Sequence, residues 1–379
     1  MYMIRFLLLF PIMFFSLVIG CRSEKNNVQS QNNLSLHDME HLALVKVGQK
    51  WGFIDRTGKI VISPRFADAW SFSDGLALVR IGYRLGYVDK TGKMVIPLRF
   101  SEARSFYQGL ARVKIDSLWG YIDKTGNMVI PARFDDADDF VGGLARVEIG
   151  NLWGFIDKTG KQVIPPRFDS ARSFYEGLAR VQLDKKVGYI DSTGSFKVEP
   201  RFDDAYSFSE GLACVQVGYR WGYIDTNGEM VIDPFFDEAD FFSEGLANVQ
   251  IGSMWGYIDK MGALVIYPQF DMAQPFFEGY APAKIGEYWC YIDRKGTVVS
   301  CGFDEAETLS TGIGLVKTGV KWGFFDRSGK TVISPQFDDA GSFNSDLAPI
   351  KMANAWGYID KTGAIVIPPQ FDNACTFSE

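Results

Sequence analysis

The segment Trp51–Phe66 reads WGFIDRTGKIVISPRF, and close copies of it recur along nearly the whole chain. The copies align on a tryptophan position that returns every 34 residues, apart from one step of 33, between residues 51 and 356. Tryptophan occupies eight of these ten positions, and Leu85 and Val187 occupy the other two. A fixed period of this length indicates a repeat architecture in which each unit packs against its neighbours.

Each copy has the residue pattern of β-strands. The stretch from Gly109 alternates apolar residues with Arg112 and Lys114, a period of two that predicts a half-buried strand with both cations facing solvent. The pentapeptides WGYID and NMVIP flank the sequence Asp-Lys-Thr-Gly at 123–126, which has the first and fourth residues of a type I turn. This turn predicts an antiparallel hairpin, so each repeat should contain about three strands.

The fold class predicted for residues 42–379 is therefore all-β, as a tandem array of about ten repeats. The array begins inside a strand at Leu42 and ends just before the next such strand would follow. The array thus starts and stops at the same place within the repeat. This fits either an open solenoid or a closed ring in which the first strand completes the last repeat. Ten blades are many for a propeller, and 34 residues are few for four strands. We therefore expect an open, superhelical β-solenoid, with a closed propeller-like ring as the alternative.

The motifs also resemble those of a known family. The WG pair, the Asp-x-x-Gly turn, the Pro-x-Phe element and the Gly-Leu-Ala element recur in register from about Leu42 to Glu379. In this they resemble the WG-repeat (KWG) family of bacterial proteins. The resemblance implies a secreted or surface repeat protein, and it carries over no active site.

The N-terminus has the pattern of an export signal. Residues 1–20 combine Arg5 with an apolar run from Phe6 to Gly20, the length of a signal sequence rather than a membrane span. The end of this run, LVIGC, resembles a bacterial lipobox, which implies cleavage before Cys21 and lipidation of that residue. An ordinary secretory signal is the alternative. Residues 21–41 are rich in Asn, Gln and Ser and are predicted to form a flexible polar tether.

This interpretation predicts a protein of the cell envelope that is bound to a membrane through its lipid. The outer membrane or cell surface is favoured, because Arg22 after Cys21 offers no obvious signal for retention at the inner membrane. The periplasmic face of the inner membrane is the alternative.

Several function classes are disfavoured by composition. Both histidines, His37 and His41, lie in the tether, so the repeats contain no histidine for catalysis or metal binding. The chain carries 39 basic and 46 acidic residues, a net charge of −7 that disfavours nucleic acid as a partner. The turn aspartates recur identically in all copies, so we interpret them as turn acceptors, and the tryptophans as core. We therefore expect no metal, no cofactor and no enzymatic activity.

Candidate binding residues lie where the copies differ. Arg112, Arg146 and Arg180 share a position that other copies fill with Leu78, Cys214 or Asn248. A second series precedes the recurring phenylalanine, namely Arg65, Arg99, Arg133, Arg167 and Arg201, and later copies replace it with Phe235, Gln269, Gln336 and Gln370. Either each arginine pairs with an aspartate of a neighbouring repeat, such as Asp135 or Asp169, or the arginines form a surface that binds an anion or a partner.

One copy is irregular. Trp289-Cys290 replaces the WG pair, the proline is missing, and one residue is deleted near Gly302. Cys290 and Cys301 approach each other across the hairpin, in positions that look diagonal rather than directly opposite. A disulfide between them is a candidate in an oxidising compartment.

Taken together, the sequence favours a non-enzymatic, lipid-anchored repeat protein that presents an extended surface for protein–protein binding at the cell envelope. A carbohydrate- or peptidoglycan-binding envelope module is the alternative, so the partner is an unidentified protein or a glycan. An enzyme with a hidden carboxylate pair is a third hypothesis.

Overall fold

The computed structural model describes residues 41–378, and its regular elements there are β-strands. The predicted signal sequence, Cys21 and nearly all of the predicted tether lie outside the described residues. Within 41–378 the strands form ten four-stranded antiparallel sheets, each hydrogen-bonded in a simple meander. These sheets are the blades of a ten-bladed β-propeller. No helix in the described part of the chain is long and apolar enough to cross a membrane.

Blade 1 combines the start and the end of the chain. Its strands are β1 (Leu42–Val47), β2 (Lys50–Ile54), β3 (Ile60–Phe66) and β40 (Asn373–Ser378).

Blades 2 to 5 complete the first half of the ring. Blade 2 has β4 (Asp68–Ala69), β5 (Leu76–Ile81), β6 (Arg84–Asp89) and β7 (Met94–Phe100). Blade 3 has β8 (Glu102–Ala103), β9 (Leu110–Ile115), β10 (Leu118–Asp123) and β11 (Met128–Phe134). Blade 4 has β12 (Asp136–Ala137), β13 (Leu144–Ile149), β14 (Leu152–Asp157) and β15 (Gln162–Phe168). Blade 5 has β16 (Ser170–Ala171), β17 (Ala179–Leu183), β18 (Lys186–Ile190) and β19 (Phe196–Phe202).

The second half of the ring continues the same order. Blade 6 has β20 (Asp204–Ala205), β21 (Leu212–Val217), β22 (Arg220–Asp225) and β23 (Met230–Phe236). Blade 7 has β24 (Glu238–Ala239), β25 (Ala247–Ile251), β26 (Met254–Ile258) and β27 (Leu264–Phe270). Blade 8 has β28 (Met272–Ala273), β29 (Tyr280–Ile285), β30 (Tyr288–Asp293) and β31 (Val298–Phe303). Blade 9 has β32 (Glu305–Ala306), β33 (Ile313–Thr318), β34 (Lys321–Asp326) and β35 (Thr331–Phe337). Blade 10 has β36 (Asp339–Ala340), β37 (Leu347–Met352), β38 (Ala355–Asp360) and β39 (Ile365–Phe371).

The expected open solenoid is wrong, because the last strand completes the first blade. β40 pairs antiparallel with β1 and supplies the fourth strand of blade 1. The Asp372 N–H donates to the carbonyl of Lys46 at 2.9 Å, and the Ser378 hydroxyl donates to the carbonyl of Leu42 at 2.9 Å. One apolar cluster joins Val45 to Phe377 across this closure. Closure leaves neither end of the array with an uncovered apolar face, as an open array would.

The prediction of three strands per repeat is also wrong, whereas the predicted hairpin is confirmed. β10 and β11 pair antiparallel around the turn at 123–126. The fourth strand lies in the connector that precedes the Gly-Leu-Ala element, where Ala103 pairs with Val113 and Tyr107 bridges Leu110. Four strands fit into 34 residues because this strand is only two residues long.

The blades bury their apolar faces against each other. The cluster between blades 3 and 4 joins Tyr121 and Phe134 to Phe140 and Val147, and comparable clusters lie between other neighbouring blades. The rings of Tyr121 and Phe140 lie 5.1 Å apart, and both side chains are almost fully buried. Burial of one such ring stabilises the fold by about 2 kcal/mol. Stability therefore comes from contact between neighbouring blades, as the repeat pattern predicts.

Candidate interaction surface

The positions shared by all repeats serve the blade itself. In the first turn, Asp55 Oδ1 accepts the N–H groups of Thr57 and Lys59 at 2.9 and 3.0 Å. This geometry recurs in the other blades and confirms the interpretation of the ten aspartates as turn acceptors. In blade 3 the Thr125 hydroxyl lowers the pKa of Asp123, against a smaller opposing effect of desolvation. The carboxylates are therefore held in place by the turn. Within residues 41–378, no three histidine, cysteine or acidic side chains are grouped to hold a metal.

In seven of the ten blades, a tyrosine two residues after the tryptophan position ties the blade to the next one. The Tyr121 hydroxyl, in blade 3, donates to the carbonyl of Asp138, in blade 4, at 2.6 Å. The same bond is made by Tyr87, Tyr189, Tyr223, Tyr257, Tyr291 and Tyr358. Burial raises the pKa of these hydroxyls above its ordinary value, so they remain protonated donors at neutral pH.

The tryptophans are only partly enclosed. Trp119 and Trp221 are buried, which confirms their prediction as core, whereas the other six repeat tryptophans are half-buried. Cations cover several of these rings: Arg146 Cζ lies 4.4 Å from the ring centre of Trp153, and Lys46 Nζ lies 5.5 Å from that of Trp51. Counting Trp119 and Trp322, four of the eight repeat tryptophans thus have a cation of the protein over the ring.

The arginines that precede the recurring phenylalanine are bound within the ring. Arg133 Nη2 donates to the carbonyl of Gly160 in the next blade at 2.5 Å, and its guanidinium lies over the ring of Phe134. Arg65, Arg99, Arg167 and Arg201 make the same contact with Gly92, Gly126, Gly194 and Gly228. The acceptor is thus a backbone carbonyl of the neighbouring turn, and the expected pairing with Asp135 or Asp169 is not formed. These five groups hold blades together.

Arg112 and Arg146 share an acidic neighbour. Arg112 Nε donates to Asp139 Oδ1 at 2.9 Å, and its Nη1 donates to Asp138 Oδ1 at 3.1 Å. Arg146 forms an ion pair with the same Asp138. The expectation that Arg112 faces solvent is wrong, because its side chain is only 14% exposed and reaches into the contact with the next blade. Two guanidinium groups between two carboxylates leave this part of the ring close to neutral.

In blade 5, Arg172 and Ser173 occupy the positions that Asp138 and Asp139 have in blade 4. Arg146 Nη1 donates to the carbonyl of Ala171 at 2.5 Å, and the Arg172 N–H donates to the carbonyl of Arg180 at 2.8 Å. Arg180 Nη2 donates to Asp204 Oδ1, in blade 6, at 2.7 Å. Desolvation and then the charges of Arg146 and Arg180 lower the pKa of Arg172. Three arginines thus lie together with one carboxylate at each end of the group.

Two of the arginines on this surface were missed from sequence. Arg104 and Arg172 occupy the position after the two-residue first strand, and both are exposed. Arg104 lies over the ring of Trp119, with Cζ 5.8 Å from the ring centre, and Arg112 lies 5.9 Å from the same centre. Other blades have Trp70, Asp138, Tyr206 or Asp240 at this position. Variation between copies, which singled out Arg112, could therefore have identified Arg104 and Arg172 as well. We call Arg104, Arg112, Arg146, Arg172 and Arg180 the arginine track.

Both positions carry other groups in the two blades that follow. In blades 6 and 7, Cys214 and Asn248 occupy the position of Arg180, and both side chains are buried. Tyr206 and Asp240 occupy the position of Arg172. Asn248 Nδ2 donates to the carbonyl of Ala273 at 3.1 Å. Burial raises the pKa of the nearby Asp240 carboxyl, against hydrogen bonds from the Phe241 N–H and the Asn248 side chain. The cationic character of these positions is thus confined to blades 3 to 5.

The irregular blade contains a covalent link. Cys290 and Cys301 are directly opposite each other in the pairing of β30 with β31, with their Cα atoms 4.0 Å apart, and a disulfide joins them. The expected diagonal placement is wrong, because the residue deleted near Gly302 makes the register shift at this point smaller than in other blades, and Cys290 then pairs directly with Cys301. Cys214 and Cys375 are free thiols.

The propeller also resembles solved structures. A crystal structure of the eukaryotic initiation factor superposes with a TM-score of 0.53 at 11% identity, covering 89% of this chain and 97% of that one. The dihydro-heme d1 dehydrogenase NirN superposes with a TM-score of 0.37 at 13% identity, covering 93% and 77%. Kluyveromyces lactis Hsv2p gives 0.34 at 9% identity, covering 68% and 92%. The first likeness shows the fold alone, and the other two support no further comparison.

Sequence comparison identifies the repeat itself. No curated protein sequence matches the chain. The family model described as the WG containing repeat matches nine segments, namely 51–84, 86–119, 119–153, 153–186, 188–221, 221–254, 255–289, 322–354 and 356–379. The stretch between the seventh and eighth segments contains most of the irregular hairpin around Cys290 and Cys301. Because these segments span most of residues 51–379, the chain belongs to the WG repeat family.

Proposed function

We propose that this propeller is a non-catalytic protein-interaction module, that a lipid on Cys21 holds it at the cell envelope, and that the arginine track is part of its binding surface. A repeat propeller suits such a role, because it presents many side chains on one rigid frame. The outer membrane or cell surface is the favoured location.

One observation supports this proposal above the others. The residues shared by all or most of the repeats are engaged in turns and contacts between blades, as the Asp55 carboxylate and the Tyr121 hydroxyl illustrate. The varying positions, by contrast, gather five arginines in three consecutive blades, and the exposed Arg104 and Arg172 are among them. These two exposed arginines form no ion pair among the described residues, and arginine is favoured at protein interfaces.

A carbohydrate-binding role is the second candidate. Tyr83 and Tyr219 lie at the tips of hairpin turns and are each 92% exposed, and Trp70 is 41% exposed. Exposed aromatic rings of this kind can stack on sugar rings. We favour protein binding because these three side chains belong to separate turns or connectors, whereas consecutive contacts link the arginine track.

The partner is tested by site-specific photo-cross-linking in cells that express the full-length chain. A photoreactive amino acid at position 173, beside Arg172, should give a discrete protein adduct, and the same group at position 295 in blade 8 should not. Identical adducts from both positions, or none from either, would contradict the proposed surface. Binding of the purified chain to peptidoglycan fragments, with no protein adduct, would favour the carbohydrate alternative.

The anchor needs its own test. The wild-type chain should incorporate labelled palmitate and sediment with membranes, and Cys21→Ala should do neither. Equal release of both proteins in soluble form would refute lipid anchoring without affecting the partner experiment.

A further inference from the structure

We propose that the arginine track binds an acidic peptide segment, and that Arg104 and Arg172 are the residues that contact its carboxylates. This inference rests on the proposed function, since it names the chemistry of the partner. It concerns blades 3 to 5, where the cationic side chains form a continuous chain of contacts that begins at Arg104 and ends at Arg180.

The first step of the argument compares two successive blades. In blade 4 the positions after the short first strand are Asp138 and Asp139, and both carboxylates pair with Arg112. In blade 5 the same positions hold Arg172 and Ser173. The replacement removes two negative charges and adds a positive one beside Arg146. At these two positions, the ring therefore provides two carboxylates in blade 4 and none in blade 5.

The second step concerns Arg172 itself. Its backbone N–H is bonded to Arg180, whereas its guanidinium has no ion pair or hydrogen bond among residues 41–378. Desolvation and then the like charges of Arg146 and Arg180 lower its pKa, against smaller opposing effects of Asp138 and Asp204. An anion placed here would offset this repulsion, and a carboxylate could accept two parallel N–H bonds from the exposed guanidinium.

The third step concerns a hydrogen-bond donor of Arg180 that has no acceptor in the described structure. This side chain is only 13% exposed, and Asp204 accepts from its Nη2. Its Nε is buried and has no partner in the described structure. A buried donor of a charged group costs free energy when it remains unpaired, so the site lacks an acceptor next to Arg172.

The fourth step explains why the ligand should be extended. Arg104 has no carboxylate partner among the described residues and lies against Trp119, two blades away from Arg172. Asp138 occupies the equivalent position in the blade between them and is already paired. A single small anion would contact only one exposed guanidinium. A peptide with spaced carboxylates could reach both, and it would avoid Asp138 more easily than a dense polyanion such as nucleic acid or polyphosphate.

The test measures binding of a fluorescent hexaglutamate peptide by the full-length chain in detergent. Arg104→Gln with Arg172→Gln should raise Kd by about tenfold or more, because each removes a charge-assisted hydrogen bond. The matched control is Arg294→Gln with Arg327→Gln, which removes two exposed arginines from blades 8 and 9 and should change Kd by less than about twofold. Higher salt should weaken binding by the wild type. Equal loss in both double variants, or no loss in the first, would overturn the proposal.

Further arms separate this inference from its alternatives. Arg104→Lys with Arg172→Lys should restore only part of the affinity, since lysine keeps the charge but lacks the planar pair of donors. Binding of tripolyphosphate or a sulfated glycan through the track, with no binding of hexaglutamate, would overturn a peptide ligand. A partner adduct at position 173 that survives Arg104→Gln with Arg172→Gln would also overturn it, while leaving the proposed function standing. Unchanged thermal unfolding of the glutamine variants would confirm that they are folded.

Discussion

The two halves of the ring close the same fold with different contacts. In blades 1 to 5, an arginine before the recurring phenylalanine donates to a glycine carbonyl of the next blade, as Arg133 does to Gly160. In blades 6 to 10 the same position holds Phe235, Gln269, Gly302, Gln336 and Gln370. Among residues 41–378, the three glutamines make no corresponding bond. The second half also contains the one irregular blade and its disulfide.

This difference separates what the ring requires from what it tolerates. Turn aspartates and the glycine after the tryptophan position serve both halves, with Cys290 the one exception among the glycines. The arginine bonds are found in only one half, so closure of the ring does not depend on them. Four predictions sharpen this comparison, beginning with a contact that both halves share.

The largest effect is expected at the glycine of the WG pair. A Cβ at Gly120 would lie 2.7 Å from the carbonyl oxygen of Ile130, and one at Gly222 would lie 2.5 Å from that of Ile232. Backbone atoms this close must shift, so Gly120→Ala and Gly222→Ala should each lower the free energy of unfolding by about 3 kcal/mol. Urea denaturation measures the loss. Clearly unequal losses would contradict the view that both halves use this contact alike.

The second prediction concerns the disulfide of blade 8. It closes a loop of sequence separation 11, so replacing Cys290 and Cys301 together with Ala should lower stability by about 2 to 3 kcal/mol. A reductant should destabilise the wild type and leave the double variant unchanged. Cys375→Ala, at a half-buried free thiol, is the control and should have a smaller effect. An equal response of both proteins to reductant would contradict a stabilising disulfide.

Much of a single blade could be predicted from the sequence. The alternation around Val113 and the turn at Asp123 are local signals, and the structure contains the strands and the turn that they predict. The repeat period likewise predicts that blades stack. Ring closure could not be predicted, because it depends on the angle between successive blades, and an open array can begin and end at the same phase of the repeat.

The candidate surface was predicted only in part. Arg112 was singled out by its variation, but its position in a contact between blades depends on Asp138 and Asp139 of the next blade. Alternation of apolar and polar residues predicts a strand with one buried face and one solvent-exposed face. In this ring both faces of a blade pack against neighbouring blades, so a polar residue on the face predicted to be exposed can lie in a contact between blades. Arg104 and Arg172 were missed because they lie in a connector that was not recognised as a strand edge.

The third prediction compares two aspartates at one position of the repeat. Asp138 is paired with Arg112 and Arg146, so Asp138→Asn should destabilise the ring by about 1 kcal/mol at pH 7. Asp240 lies in the half that lacks the arginines, and burial raises its pKa. Asp240→Asn should therefore raise the midpoint of thermal unfolding at pH 7.

The effect of Asp240→Asn on stability should depend on pH. Because the pKa of Asp240 is higher in the folded than in the unfolded chain, its carboxyl favours folding most below its unfolded pKa, near 4, and this contribution is lost as pH rises through the folded value. The advantage of Asp240→Asn should accordingly be greatest above the folded pKa and shrink towards pH 4. Thermal unfolding between pH 4 and 8 measures it. An advantage that grows as pH falls would contradict a raised pKa.

The smallest effect is expected from exchanging the two residues that distinguish the halves. Arg133→Gln removes the bond to Gly160 and the contact with Phe134, so it should lower the free energy of unfolding by about 1 kcal/mol.

The reverse change, Gln336→Arg, would place a guanidinium before Phe337, facing the turn of the next blade at Gly363. It should stabilise the ring by less than the first change costs, because ordering a long side chain opposes the gain. Urea denaturation of each single variant, and of the variant that carries both substitutions, measures the changes in the free energy of unfolding. Because the two positions lie in separate blade contacts, their effects should add. A loss from Gln336→Arg would mean that the second half is packed differently at this contact, and that glutamine there is required rather than tolerated.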